Sequence, residues 1–135
     1  MIKKGILIVL RLFVAAIMAG AGYLKLTSGA AEIAIFSELG MEPQGRMIIG
    51  LLEVASGLLL LSPHVATGAL LTVGIMCGAI IAHATVIGPS PGGDGGLQMA
   101  MLALVLTSSI VLLLVSRRDL PLVGHTLVDS DKMRG

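Results

Sequence analysis

Glu53 and His83 each stand inside a long run of apolar residues, where an ionisable side chain needs a reason to be. A carboxyl group in such a run can pair with a cation, hold a ligand or exchange a proton. An imidazole there can hydrogen-bond between helices, exchange a proton or donate to a carbonyl of a bound ligand. Arg11 lies within another apolar run and Lys25 at its end, and residues 11, 15, 18, 22 and 25 share one helical face, so both cations lie along one side. A charge at the centre of a membrane helix costs roughly 2.5 to 3.5 kcal/mol, which drives such residues toward partners or water inside a bundle. Arg11, Lys25, Glu53 and His83 are therefore the candidate ligand-binding or proton-exchange residues, and no catalytic residue is assigned.

Each has a plainer reading as well. Glu53 can be half of an ion pair that fixes helix packing, and His83 an interhelical hydrogen bond. Arg11 can snorkel to phosphates and Lys25 can anchor an interface. Cys77 is a lone cysteine beside Met76 in an apolar run, which excludes an internal disulfide and a Cys-x-x-Cys pair. His64 and His83 would lie about 28 Å apart on one helix and His125 falls in a tail, so no metal or haem site is expected. Flavin, nucleotide and iron–sulfur fingerprints are missing from the sequence, so no intrinsic cofactor is expected.

The elements that must position these residues follow from hydropathy. The chain is 56% hydrophobic and 13% charged with mean hydropathy +1.00, whereas soluble domains are about a quarter charged. Four apolar stretches, residues 5–26, 46–61, 65–87 and 97–115, each approach the ~20 residues that cross a bilayer. The fold class is thus all-α: a polytopic, antiparallel four-helix membrane bundle forming a single domain over residues 1–118, with a polar tail over 119–135. Between the first two spans, Ile33, Phe36 and Leu39 to Met41 alternate with Glu32 and Glu38, which predicts a short interfacial helix before Pro43 and Gly45. Ser62-Pro63-His64 makes a turn tight enough to force a helical hairpin, and the glycine-rich loop from Gly88 to Gly96 offers Asp94 as a cap for the last span.

Lys3 and Lys4 precede the first span and Arg117 and Arg118 follow the last, so both termini are expected in the cytoplasm, and the short loops suit a bacterial inner membrane. A signal-peptide reading of the first 22 residues, with Ala19-Gly20-Ala21 as cleavage site, is opposed by Arg11 and by the lack of a soluble domain to export. On this topology Arg11 lies about 10 Å in from one boundary, Glu53 about 12 Å and His83 about 7 Å in from the other. Lys25, Glu53 and His83 can then form one cluster, while Arg11 sits roughly 8 Å lower than Glu53. Small residues at helical spacing, Ala15 and Gly22, Gly50 and Gly57, and Gly74, Gly78 and Ala82, predict close packing and are compatible with a homo-oligomer. The net charge of +1 and pI near 8.0 exclude a nucleic-acid binder and leave lipid, apolar ligands and other proteins as partners.

Arg11-Leu12-Phe13, Gly22-Tyr23-Leu24-Lys25, Gly50-Leu51-Leu52-Glu53 with Gly57 to Leu61, Met76 to His83, and Asp94-Gly95-Gly96 follow one another in an order that resembles the DoxX family from Leu10 to about Val115. The resemblance implies a small four-helix membrane protein whose polar positions fall on Arg11, Lys25, Glu53 and His83. It also implies a link to quinone-reducing or redox-stress systems, hence a soluble or membrane redox partner and a quinone as ligand; many family members have no known activity. Three functions compete on this basis: a subunit or accessory of a quinone-linked redox system, a non-enzymatic protein for small-molecule binding, transport or assembly, and a purely structural bundle. A pocket open to lipid at Glu53 and His83 favours the first, a water path from Glu53 to Arg11 the second, and a closed, fully paired cluster the third.

Overall fold

The structure is a computed structural model, and it describes residues 2–119, with side chains to residue 118. The proposed tail over 119–135 falls almost wholly outside these residues. Helix α1 (Ile2–Leu26), α3 (Gln44–Leu61), α4 (Val65–Ala82, continued by a π-helical turn His83–Ile87) and α5 (Leu97–Ser116) are the four expected spans. Helix α2 (Ala30–Glu38) is the expected short helix between the first two. Leucine, isoleucine and valine side chains such as Val9, Leu12, Ile48, Leu51, Leu58 and Leu114 stay exposed on the outer faces, as lipid-facing residues must. The chain is a four-helix membrane protein.

Helix α1 lies along α3, α4 follows α3 as the second arm of the hairpin, and α5 packs on α4 and more lightly on α1. Small residues set the α1–α3 distance. A Cβ at Gly22 would come within 2.6 Å of the Gly50 carbonyl oxygen, and one at Gly57 within 3.0 Å of the Ala15 carbonyl oxygen. This seam permits the backbones to touch where lipid supplies no hydrophobic force to press helices together. The third small-residue stripe behaves differently: a Cβ at Gly74 or Gly78 would meet nothing within 4 Å. The same spacing that closes one helix pair leaves open space along α4.

The apolar core, Val14, Ala15, Met18, Leu60, Ala69, Met76, Val105 and Leu112, lies mostly in the half of the bundle that holds the two chain ends. Buried hydroxyls there are satisfied within their own helices, Thr72 donating to the Gly68 carbonyl and Ser109 to the Val105 carbonyl. The opposite half contains the two longer connections, α1 to α3 and α4 to α5. Helix α2 closes with Gly40 at φ +68°, where Met41 N–H donates to the Phe36 carbonyl and Gly40 N–H to the Ser37 carbonyl, the glycine-dependent Schellman arrangement. Asp94 does cap α5, from two residues before the capping position: its carboxylate accepts from Gln98 N–H at 2.9 Å and Gly96 N–H at 2.8 Å. Those bonds, Gln98 foremost, hold its carboxyl below the usual carboxylate range.

The seam predicts opposite outcomes for two neighbouring glycines. Gly22→Ala forces α1 from α3 and lowers stability by about 1–3 kcal/mol, whereas Gly20→Ala, with open space around it, raises stability by about 0.5–1 kcal/mol through helix propensity. Unfolding of the two variants in detergent micelles checks the pair, and shifts of the same sign would contradict the seam.

Candidate functional site

Two arginines define the frame of the site. Arg11, on α1, donates Nη2 to the Ser62 carbonyl at 2.8 Å and Nε to the Leu60 carbonyl. These oxygens belong to the end of α3, where the last carbonyls lack partners within the helix and the helix dipole favours a cation. Arg46, on α3, does the reciprocal work: Nη1 donates to the Lys25 carbonyl in the last turn of α1. Each helix of the antiparallel pair thus lends the other an arginine at its C-terminal end. Arg11 is turned toward the end of α3, away from Glu53, and neither snorkels freely nor joins the cluster.

Arg46 was not among the residues singled out from sequence. It is buried, and Glu42 holds it through bonds of 2.8 Å from Nε to Oε2 and 2.8 Å from Nη2 to Oε1, a fork that fixes the guanidinium plane. The i,i+4 spacing of Glu42 and Arg46 was its sequence signal, masked by the Pro43 between them. The Arg46 hydrogen bond keeps the Glu42 carboxyl below its ordinary range.

Lys25 stands at the centre of the cluster, with its Nζ 3.1 Å from Glu53 Oε2 and 3.1 Å from Glu32 Oε2. One ammonium therefore ties α1 to α3 and to α2. Glu32, read from sequence only as part of the interfacial segment, belongs to the site. The aliphatic stem of Lys25 runs past Gly50, where a Cβ would stand 2.9 Å from that of Lys25, so the glycine seam also makes room for the cation.

The cluster forms one end of a cavity of about 890 Å³ that reaches across α2, α3, α4 and α5 and is lined mainly by apolar side chains. On α4 its wall is an unbroken helical stripe, in which Thr67, Leu71, Gly74, Gly78, Ala82 and His83 are representative, running on to Ile87. From Thr67 to Ile87 the stripe measures about 30 Å at the helical rise, close to the thickness of the hydrocarbon core. Leu52 and Leu70 in the wall are exposed, as are Gly74 and Gly78, so the cavity opens sideways toward lipid. Phe36 of α2 is buried and forms part of its wall. A second cavity of about 120 Å³ touches Arg11, and no residue lines both.

His83 borders the large cavity at the start of the π-helical turn, a feature that recurs at functional sites. It is only 3% exposed, and Nδ1 lies 2.8 Å from the Ala79 carbonyl oxygen. Because that oxygen can only accept, Nδ1 carries the hydrogen and Nε2 of the neutral ring presents a lone pair. Nε2 is buried with no hydrogen-bond partner. The same holds for Glu53 Oε2, which faces Lys25 at ion-pair distance without the angles of a hydrogen bond. His83 thus faces the cavity as an acceptor, and donation to a ligand carbonyl would require its protonated form. Among the described residues no group of three His, Cys, Asp or Glu side chains gathers to hold a metal ion.

The sequence profile described as the DoxX-like family matches residues 9–111, a range that includes every residue of the cluster. No curated protein and no protein of solved structure matches the chain.

The Glu42–Arg46 fork gives stability a defined acid limb. Its contribution is complete above the unfolded carboxyl pKa of about 4.3 and is lost as pH falls through the lower folded value. Melting wild type and Glu42→Gln across this range should show wild type ahead near neutrality and the difference shrinking below about pH 4; a constant difference would separate the fork from Glu42 ionisation.

Proposed function

The chain belongs to the DoxX-like family, and we propose that it serves a membrane redox system as a quinone-linked subunit or accessory. An isoprenoid quinone lies in the α4 groove with its tail along the glycine stripe and its ring beside Lys25, Glu53 and His83. The observation that carries this reading is the groove itself: a long, mainly apolar, laterally open channel of about 890 Å³ that ends on a compact polar cluster. Its volume falls within the range of about 300–1,000 Å³ typical of small-molecule sites. An amphiphile with an extended apolar tail and a small polar head has that shape and polarity. A purely structural bundle accounts for the Lys25–Glu53 pair but would gain nothing from the unpartnered Nε2 of His83, since a buried polar atom without a partner is destabilising. Transport through the bundle is less favoured because the two cavities share no lining residue.

A soluble or membrane partner exchanges electrons with the bound quinone, and this chain supplies the binding site. With Lys3, Lys4, Arg117 and Arg118 on the cytoplasmic side of an inner membrane, the polar end of the groove lies in the outer half of the bilayer.

Titration of the full chain in lipid nanodiscs with isoprenoid quinones, in both redox states and with increasing tail length, tests the reading. Affinity should rise with tail length, and Gly78→Leu, which places a side chain in the groove, should weaken binding by about tenfold or more while stability holds or rises. Absence of binding in both redox states, or a Gly78→Leu variant that binds like wild type, would overturn it.

A further inference from the structure

The polar end of the groove is unbalanced in hydrogen-bonding terms. Glu32, Glu53 and the Nε2 atom of His83 all accept, and the one cation among them, Lys25, is already shared between the two carboxylates at 3.1 Å each. Gln98, also in the wall, carries both a donor and an acceptor and so does not alter the balance. His83 Nε2 is buried with no partner, and Glu53 Oε2, though 3.1 Å from the Lys25 ammonium, receives no well-aligned hydrogen bond; both residues are 3% exposed and border the same cavity.

Resting on the function proposed above, we infer that this site selects the reduced, hydroxyl-bearing form of its ligand: a hydroquinone, which donates from its ring hydroxyls to Glu53 and His83, binds in preference to the corresponding quinone. The quinone has only carbonyl oxygens at those positions. Set against a carboxylate and an imidazole lone pair, they would leave both protein acceptors unsatisfied and add acceptor–acceptor repulsion. Sites built to hydrogen-bond a substrate hydroxyl discriminate strongly against the analogue without it, because the unpaired partner remains buried. The charge balance at this end, two carboxylates to one ammonium, also disfavours anionic heads such as fatty-acid carboxylates and phosphates.

The preference is read as a ratio of affinities. Full-length protein in nanodiscs is titrated under anaerobic conditions with a short-tailed isoprenoid hydroquinone, with the quinone of the same tail, and with a dialkylglycerol, which carries a hydroxyl on a comparable apolar body. The hydroquinone should bind about tenfold or more tighter than the quinone, and the dialkylglycerol should not displace it. Glu53→Gln, which adds amide donors with little change of shape, should shift the ratio toward the quinone, and His83→Leu, which removes the second acceptor, should shrink it. Equal binding of the two redox forms by wild type, or ratios unchanged in both variants, overturns the redox preference while leaving quinone binding standing. Displacement by dialkylglycerol shows that the site reads any hydroxyl and overturns the hydroquinone assignment. Failure of both redox forms to bind overturns the preference together with the function it rests on.

Discussion

Lys25 bridges Glu32 and Glu53 at the edge of a medium that offers no solvation of its own, and much of the molecule follows from that one contact. An ammonium between two carboxylates ties three helices at one point. It can do so only because α1 and α3 run close enough for the Lys25 stem to pass Gly50, which in turn needs Gly22 against the Gly50 carbonyl. The arginines hold this geometry from both ends, Arg11 on the last carbonyls of α3 and Arg46 on those of α1. A buried ion pair is weak evidence of stability by itself. Here it serves to orient Glu53, which would otherwise have no fixed place in the wall of a cavity.

The two halves of the bundle are built differently. Close apolar packing concentrates near the chain ends, while the other half trades packing for polar contacts, a π-helical turn and open space beside α4. Ridge-to-groove packing that filled the second half would leave Glu53 and His83 with nothing to face. The open space thus lies in the loose half, apart from the tightly packed core.

Hydropathy made the four spans and the helix between the first two readable, because a helix must satisfy its own backbone in lipid and leaves an unmistakable run of apolar residues. Lys25, Glu53 and His83 were readable for the same reason, since charge in such a run stands out. What periodicity could not separate was Gly50 and Gly57, which face a neighbouring backbone, from Gly74 and Gly78, which face a void: the spacing is the same and the difference lies in what stands opposite. Arg46 escaped notice because it sits at a helix start, where a cation looks like an interface anchor. Whether His83 donates or accepts is decided by the Ala79 carbonyl, a backbone atom whose position no side-chain pattern encodes. The face that Arg11 shares with Ala15, Gly22 and Lys25 was readable, but the atoms it meets there, the carbonyls of Leu60 and Ser62, are backbone oxygens that no side-chain pattern marks.

The reciprocal arginines also bear on how the chain enters its membrane. Helix α1 is synthesised before α3, yet Arg11 finds its carbonyl partner 49 residues later at Leu60, and the Lys25 carbonyl waits 21 residues for Arg46. Lys25 can meet Glu32 as soon as α2 is made, but until α3 emerges Arg11 has no internal partner, and the stable place for it is beside the insertion machinery or close to the headgroups. Commitment of α1 to its final depth is thereby coupled to the arrival of α3, so the first span is completed as half of a pair and not as an independent anchor.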